Sequence, residues 1–209
     1  MAVHWWGVVV PLKVLDRAKT RLVAVDAHAR AELALAFAED AVAAALACPC
    51  VERVVVVTDD PRAAAALTSP CVVVEPDRPG AGLNPAIEHG ALGLAGLGVA
   101  ALAADLPALR PDELQAVLAG VVHRGFVADA DRVGTTLLAA VAGVALAPAY
   151  GPGSRGRHLD GGAVELAAGA GLRRDVDTLA DLEQALRLGV GARTAAALAR
   201  LVAGPPARA

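Results

Sequence analysis

Short apolar runs alternate along this chain with longer stretches rich in alanine and leucine. Runs of β-branched residues are typical of buried strands, whereas the alanine–leucine stretches favour helices. Strands are predicted at residues 7–10, 54–58, 72–75, 99–103, 126–128, 136–141 and 172–176. Helices are predicted at residues 27–47, 62–67, 85–94, 111–121, 163–168, 179–188 and 192–202. This alternation predicts an α/β fold with a mostly parallel central sheet covered by helices on both faces.

Length, charge and cysteine use narrow the class of protein. No internal repeat or long linker interrupts the 209 residues, so we predict one domain over residues 1–203 and a frayed tail over residues 204–209. The net charge of −3 argues against nucleic acid as the main partner, and no apolar run is long enough to span a membrane. Three cysteines without zinc-like spacing indicate reduced thiols and a cytoplasmic protein.

A cluster of cations follows the first predicted strand, which Pro11 ends. Against a single acid, Asp16, the cluster contains Lys13, Arg17, Lys19 and Arg21. Because ligands of open α/β sheets bind at the carboxyl ends of strands, the cluster predicts a polyanion such as a triphosphate. The segment has neither the Walker A pattern Gly-x-x-x-x-Gly-Lys-Ser/Thr nor the glycines of the Rossmann fingerprint, so phosphate binding would depend on side-chain charge. The alternative is a solvated basic loop before a helix.

Carboxylates also stand at predicted strand ends. Asp105 follows the strand at 99–103, and Asp175 and Asp177 are two positions apart in an extended segment, so their side chains point to one face. The two negative charges of such a pair repel each other unless a cation neutralises them, and Mg²⁺ suits carboxylate ligands. Two alternatives remain open: Asp105 caps the following turn or helix, and the pair binds the adjacent Arg173 and Arg174.

Two glycine-containing loops are further candidates. Residues 150–158 combine freed backbone amides with Ser154, two arginines and the positive charge of His158, which suits a small phosphorylated or carboxylated acid. Thr135, at the start of a strand, offers another donor. Residues 80–84 would let a flat base approach the backbone, with Asn84 capping the next helix. A flexible surface loop is the alternative for residues 150–158.

Taken in order along the chain, these motifs resemble one family, the guanylyltransferases that build the deazaflavin coenzyme F-420. The resemblance covers residues 6–189 and depends on six short motifs. They are Pro-Leu-Lys with Ala-Lys-Thr-Arg-Leu (11–13 and 18–22), Gly-Leu-Asn (82–84), Asp-Leu-Pro (105–107), Gly-Thr-Thr (134–136), Gly-x-x-Ser-x-x-x-His (151–158) and Asp-Val-Asp-Thr (175–178).

The resemblance implies a single-domain nucleotidyltransferase fold of the GT-A type, similar to the Rossmann fold, that transfers GMP from GTP to phosphoenolpyruvate or, alternatively, to 2-phospho-L-lactate. It implies catalytic roles for Lys13, Lys19 and Arg21. The implied nucleotide-binding residues are Pro11, Lys13, Lys19, Arg21, Gly82 and Asn84. The implied ligands of Mg²⁺ are Asp105, Asp175 and Asp177, and the implied acceptor-binding residues are Thr135, Gly151 and Ser154. A homodimer is left open.

Two rival interpretations belong to other classes. The first is another GT-A-type enzyme, such as a sugar-phosphate or molybdopterin nucleotidyltransferase or a glycosyltransferase. The nucleotidyltransferases of that group usually have a glycine-rich loop where this chain has Pro11, Leu12 and Lys13. The second is a nucleotide-binding regulatory module without turnover, which has little need of three carboxylates. Release of pyrophosphate from GTP and an acceptor separates these classes.

Overall fold

A seven-stranded sheet organises this computed structural model, which describes residues 5–17, 19, 22, 26–78 and 80–203. The strands are β1 (Trp6–Pro11), β2 (Val51–Val57), β3 (Val72–Glu75), β4 (Gly98–Leu102), β5 (Arg124–Ala128), β6 (Thr135–Ala140) and β7 (Val164–Glu165). The helices are α1 (Ala27–Leu46), α2 (Pro61–Leu67), α3 (Leu83–Ala91), α4 (Pro111–Ala119), α5 (Ser154–Asp160), α6 (Ala170–Arg173), α7 (Leu179–Leu188) and α8 (Ala192–Ala203). The predicted α/β class is confirmed. The predicted tail and Arg21 lie outside the described residues.

The sheet has the strand order β3-β2-β1-β4-β6-β5-β7, and only β6 runs against its neighbours. Leu102 of β4 pairs with Leu137, and Ala128 of β5 pairs with Thr135. The amino end of β6 therefore meets the carboxyl ends of β4 and β5. This reversal brings Thr135 to the edge where α/β sheets bind ligands.

The core lies on both faces of the sheet because neighbouring strand residues point to opposite sides. Val8 and Val10 pack in the cluster that contains buried residues of α1 and α4, whereas Val9 packs in the one that contains Ala86 of α3. On the α3 face a Cβ atom at Gly90 would lie 2.7 Å from methyl carbons of Val9 and Val57. Glycine therefore allows α3 to approach the sheet closely, which fixes the position of the start of α3 at the ligand-binding edge.

Local signals predicted several elements well. The bounds of β3 and α7 are those predicted, and the other confirmed elements differ by a few residues at their ends. The expected cap of α7 is present as well. Thr178 Oγ1 accepts a hydrogen bond from the Asp181 N–H at 3.3 Å, and Asp181 Oδ2 accepts one from the Thr178 N–H at 2.9 Å. None of the described helices is long and apolar enough to cross a bilayer.

Two predicted elements are wrong. The segment predicted as a strand at 172–176 consists of the end of α6 and an irregular stretch, and the segment predicted as a helix at 163–168 contains β7. The reason is tertiary: the N–H of Leu166 donates to the Phe126 carbonyl, so the later segment adds to β5 despite its alanine and leucine content. The glycine-containing segment at 150–158 is not a loop throughout, because α5 begins at Ser154.

Candidate active site

A cavity of about 370 Å³ opens at the carboxyl edge of the sheet. Its floor is apolar and is formed in part by Ile87, Ala101 and Leu102. Of the residues predicted for the site, the cavity is lined by Pro11, Lys13, Lys19, Asp105, Thr135, Asp175 and Asp177. The structure thus brings together residues from the beginning, middle and end of the chain in one cavity.

Lys19 lies among the carboxylates of this cavity. Its ammonium group donates a hydrogen bond to Asp105 Oδ2 and another to Asp177 Oδ1, the latter at 3.0 Å. Burial tends to lower the pKa of Lys19, but the two carboxylates outweigh burial and raise the pKa above its usual value. The side chain is only 9% exposed, so a full positive charge is held inside the site.

Asp175 adds a further carboxylate to the cavity. Burial raises its pKa to about 7, and repulsion from Asp105, Asp177 and Asp129 adds to the effect. Val176, between the two lining aspartates, is fully buried, and its N–H donates to the Asp105 carbonyl at 3.0 Å. The two carboxylates therefore share one side as expected, although their segment is not a strand.

The neighbouring arginines do not neutralise this aspartate pair. Arg173 donates hydrogen bonds to the backbone carbonyls of Ala128 and Asp129, at 3.3 and 2.9 Å. Arg174 binds Asp181 Oδ1 at 2.9 Å. The structure therefore contradicts the alternative in which the aspartate pair binds Arg173 and Arg174. Within the cavity, the negative charge faces Lys19.

The three aspartates provide the donor chemistry of a divalent cation but not a preformed cage. In the described part of the chain, no group of three or more His, Cys, Asp or Glu side chains is arranged as a metal site. The Lys19 ammonium instead lies between Asp105 and Asp177. Hard carboxylate oxygens and the raised pKa of Asp175 both fit a cation of higher charge at this place. The assignment of these residues to a metal stays a prediction.

Asp60 is a positioning residue that the sequence analysis missed. Its buried carboxylate accepts hydrogen bonds from the N–H of Leu15 at 2.9 Å and from the N–H groups of Arg62 and Ala63 at the start of α2. Burial opposes ionisation, but these backbone donors outweigh it and lower the pKa of Asp60. Asp60 thereby joins α2 to the segment after β1 that carries Lys13. The signal in the sequence was an aspartate directly before Pro61, a common start of a helix.

Asn84 does not cap α3, contrary to expectation. The capping position is Gly82, whose φ of +105° lies in the region that favours glycine. The Asn84 side chain instead holds the Tyr150 peptide: Oδ1 accepts from the Tyr150 N–H at 2.7 Å, and Nδ2 donates to the Tyr150 carbonyl at 3.1 Å. Asn84 therefore links the two glycine loops. The cavity is lined by one residue of each loop, Leu83 and Tyr150. The residues predicted for the site from these loops, Gly82, Asn84, Gly151 and Ser154, do not line it.

The charges expected in the second loop have other partners. Arg155 binds Glu165 at 2.7 Å, and Arg157 donates to the carbonyls of Ala149 and Pro152. The expectation that His158 adds positive charge is wrong, because burial and the nearby Arg157 and Arg124 lower its pKa to about 4. Of residues 150–158, Tyr150 alone lines the cavity, so this loop brings no charge to it.

The placement of Gly151 and Ser154 explains why this loop turns where it does. Gly151 has a φ of +127°, and a Cβ atom there would lie 2.9 Å from Arg157 Nη2. Ser154 begins α5 and is buried, with its N–H donating to the Gly151 carbonyl at 3.0 Å. Their roles in acceptor binding stay predictions.

The cavity and its sheet define a nucleotidyltransferase, and comparisons with known proteins agree. Residues 36–159 match the family model of the MobA-like NTP transferase domain. The fold is similar to a solved nucleotidyl transferase from Methanothermobacter thermautotrophicus, with a TM-score of 0.65 and 20% identity over 88% of this chain and 98% of that one. The family-model match begins after the segment that carries Lys13 and Lys19, whereas relatives that match nearly the full length also cover this segment.

Such relatives are found in actinobacterial phosphoenolpyruvate guanylyltransferases. The protein of Thermomonospora curvata is 54% identical, with 96% of this chain and 92% of that protein covered. The protein of Geodermatophilus obscurus is 56% identical, with 95% of this chain and 96% of that protein covered. The chain belongs to the phosphoenolpyruvate guanylyltransferase family.

Proposed function

We propose that this protein transfers GMP from GTP to phosphoenolpyruvate and releases pyrophosphate. The observation that carries the proposal is the single cavity in which Lys13 and Lys19 face Asp105, Asp175 and Asp177. Cations suit a triphosphate, and carboxylates suit the metal that accompanies it. Family membership supports the guanine nucleotide and the acceptor acid.

In this proposal the segment after β1 binds the donor nucleotide. Lys13 is exposed at the cavity and Lys19 is held deep in it, so the two ammonium groups can contact different parts of a triphosphate. Arg21 completes the cation set as a prediction from sequence. Gly82, at the start of α3, leaves the backbone open for the nucleoside, since a Cβ atom there would meet nothing within 4 Å.

A divalent metal, Mg²⁺ in our proposal, would be held by Asp105, Asp175 and Asp177. When bound, it supplies charge neutralisation of the reacting phosphates. Lys19 would then exchange its carboxylate partners for phosphate oxygens, because both ligands bear negative charge and occupy the same part of the cavity. In this proposal the carboxylates hold the metal and Lys19 binds the nucleotide in the same part of the cavity.

The acceptor would lie at the amino end of β6, where Thr135 lines the same cavity as Asp105. A phosphate oxygen of the acid attacks the α-phosphorus of GTP and forms the new P–O bond. The bond between the α-phosphorus and the bridging oxygen breaks, and pyrophosphate leaves with the bonding electron pair. Because the phosphate is already an anionic nucleophile, the chain needs to supply positioning and charge neutralisation and no nucleophile of its own.

The test is a turnover assay with both acids offered side by side. The purified protein, GTP and Mg²⁺ are incubated with phosphoenolpyruvate and 2-phospho-L-lactate, pyrophosphate is measured, and the products are identified by mass spectrometry. We expect the guanosine diphosphate adduct of phosphoenolpyruvate as the main product. A main product formed from 2-phospho-L-lactate would reassign the acceptor, and no pyrophosphate with either acid would refute the proposed reaction.

A further inference from the structure

His158 connects α5 to the cavity through Thr135. The His158 side chain is buried and packs against the rings of Phe126 and Tyr150, at centroid distances of 5.7 and 5.2 Å. Its Nε2 atom lies 3.1 Å from the backbone nitrogen of Ala149, and its Nδ1 atom lies 2.9 Å from Thr135 Oγ1. Both ring nitrogens therefore have a partner.

These two contacts decide which ring nitrogen carries the proton. The Ala149 N–H can only donate, so Nε2 must be the unprotonated nitrogen. Burial, with the charges of Arg157 and Arg124, lowers the pKa of His158 to about 4, so the ring is neutral near pH 7. The single ring proton is therefore on Nδ1, and Nδ1–H donates to Thr135 Oγ1.

The direction of this hydrogen bond determines what the Thr135 hydroxyl can do. It accepts from His158, so its own proton is available for a different acceptor. Thr135 lines the cavity, and among the residues that the structure describes its hydroxyl makes no other hydrogen bond. The hydroxyl can therefore act as a donor to a ligand oxygen that carries no proton, such as a carboxylate or phosphate oxygen.

The geometry points to His158 as a positioning residue that fixes the Thr135 hydroxyl as a hydrogen-bond donor to the anionic acceptor substrate. The identity of that substrate rests on the proposed function, whereas the direction of the His158–Thr135 hydrogen bond does not. His158 itself touches no substrate. It acts through one hydroxyl, and the Ala149 N–H keeps it in the required tautomer.

The first test is spectroscopic and needs no turnover. In the ¹⁵N-labelled wild-type protein, the ring nitrogen shifts of His158 are assigned by comparison with His158→Asn. We expect the Nδ1–H tautomer at neutral pH, which is the less common form of a free neutral histidine. The Nε2–H tautomer, or a charged ring, would overturn the proposal.

The second test separates positioning from a merely structural role. His158→Gln retains an acceptor near the Nε2 position and loses the donor at Nδ1, whereas His158→Asn places its amide near Nδ1. Loss of a hydrogen bond to a charged ligand predicts that His158→Gln raises KM for phosphoenolpyruvate by about tenfold. KM for GTP should stay unchanged. His158→Asn, which places its amide near Nδ1, should raise KM for phosphoenolpyruvate much less than His158→Gln does.

A double-mutant cycle with Thr135→Val completes this test. If His158 acts through the Thr135 hydroxyl, His158→Gln has no further effect on KM once Thr135→Val has removed that hydroxyl. Additive effects, or equal increases in KM for GTP and for the acid, would overturn the proposal. Absence of turnover in the wild-type protein would refute the proposed function instead, and the tautomer then decides the direction of the hydrogen bond by itself.

Discussion

Asp40 of α1 caps α8 from a neighbouring helix: its Oδ2 accepts a hydrogen bond from the Thr194 N–H at 2.8 Å. Its Oδ1 accepts a second one from the Arg193 N–H at 3.0 Å. A Cβ atom at Gly191 would lie 2.3 Å from this carboxylate, so glycine is needed where the chain passes it. One buried acid of α1 therefore holds the start of α8, in addition to the apolar contacts between the two helices.

We expect Asp40→Ala to lower the free energy of unfolding by about 1–2 kcal/mol, because it leaves two backbone donors at the start of α8 without their acceptor. Urea denaturation measures the effect. Glu183→Ala, an exposed position on α7, is the matched control and should change little. Equal stability of the two variants would show that the cap does not hold α8.

Lys19→Met should weaken GTP binding by about 1–3 kcal/mol, the range of a charge-assisted hydrogen bond. Isothermal titration calorimetry with GTP and Mg²⁺ gives the affinity directly. Arg62→Ala is a suitable control, since it removes a cation that binds Asp16 outside the cavity. An unchanged affinity of the Lys19 variant would remove this residue from the nucleotide site.

Replacement of a cavity carboxylate by its amide should impair turnover without unfolding the protein. Asp105→Asn, Asp175→Asn and Asp177→Asn are each expected to reduce turnover by about a hundredfold or more, because each removes a negatively charged ligand oxygen. Initial rates over a range of Mg²⁺ concentrations measure this. Asp112→Asn, on the exposed side of α4, should retain the wild-type rate. Wild-type rates for both Asp175→Asn and Asp177→Asn would place the metal elsewhere.

The neutral state of His158 predicts a pH dependence of stability. Its pKa is about 4 in the folded protein and near 6.5 when unperturbed, so on acidification the unfolded chain binds a proton that the folded chain does not. Stability conferred by this residue is therefore complete above pH 6.5 and is lost as the pH falls towards 4. Urea denaturation of wild type and His158→Asn at about pH 7 and about pH 5 isolates this contribution. A difference in stability that is the same at both values would contradict it.

Part of the cavity lining was predictable because it lies at strand ends. Lys13 after β1 and Asp105 after β4 are close in space for a reason that a sequence shows: parallel strands place their carboxyl ends at one edge. Asp175 and Asp177 line the same cavity as expected, although the strand on which that expectation depended does not form. These inferences depend on local pattern and on one rule of sheet topology.

Contacts between distant segments were not predictable in the same way. The bond between Asn84 and the Tyr150 peptide joins loops 66 residues apart, and no periodicity encodes it. The assignment of positive charge to His158 failed for the same reason, since its ionisation depends on burial under rings that the fold supplies. Likewise β7 forms only because β5 offers it a free edge.

Because β6 runs against its neighbours, a later part of the chain supplies the side of the cavity where we propose that the acceptor binds. In the proposed reaction the nucleotide is bound by the segment after β1 and by Gly82, whereas Thr135 and its support from α5 come from residues 135–158. Exchange of that later segment for the corresponding one of a relative with another acid should therefore transfer acceptor preference while GTP affinity is kept.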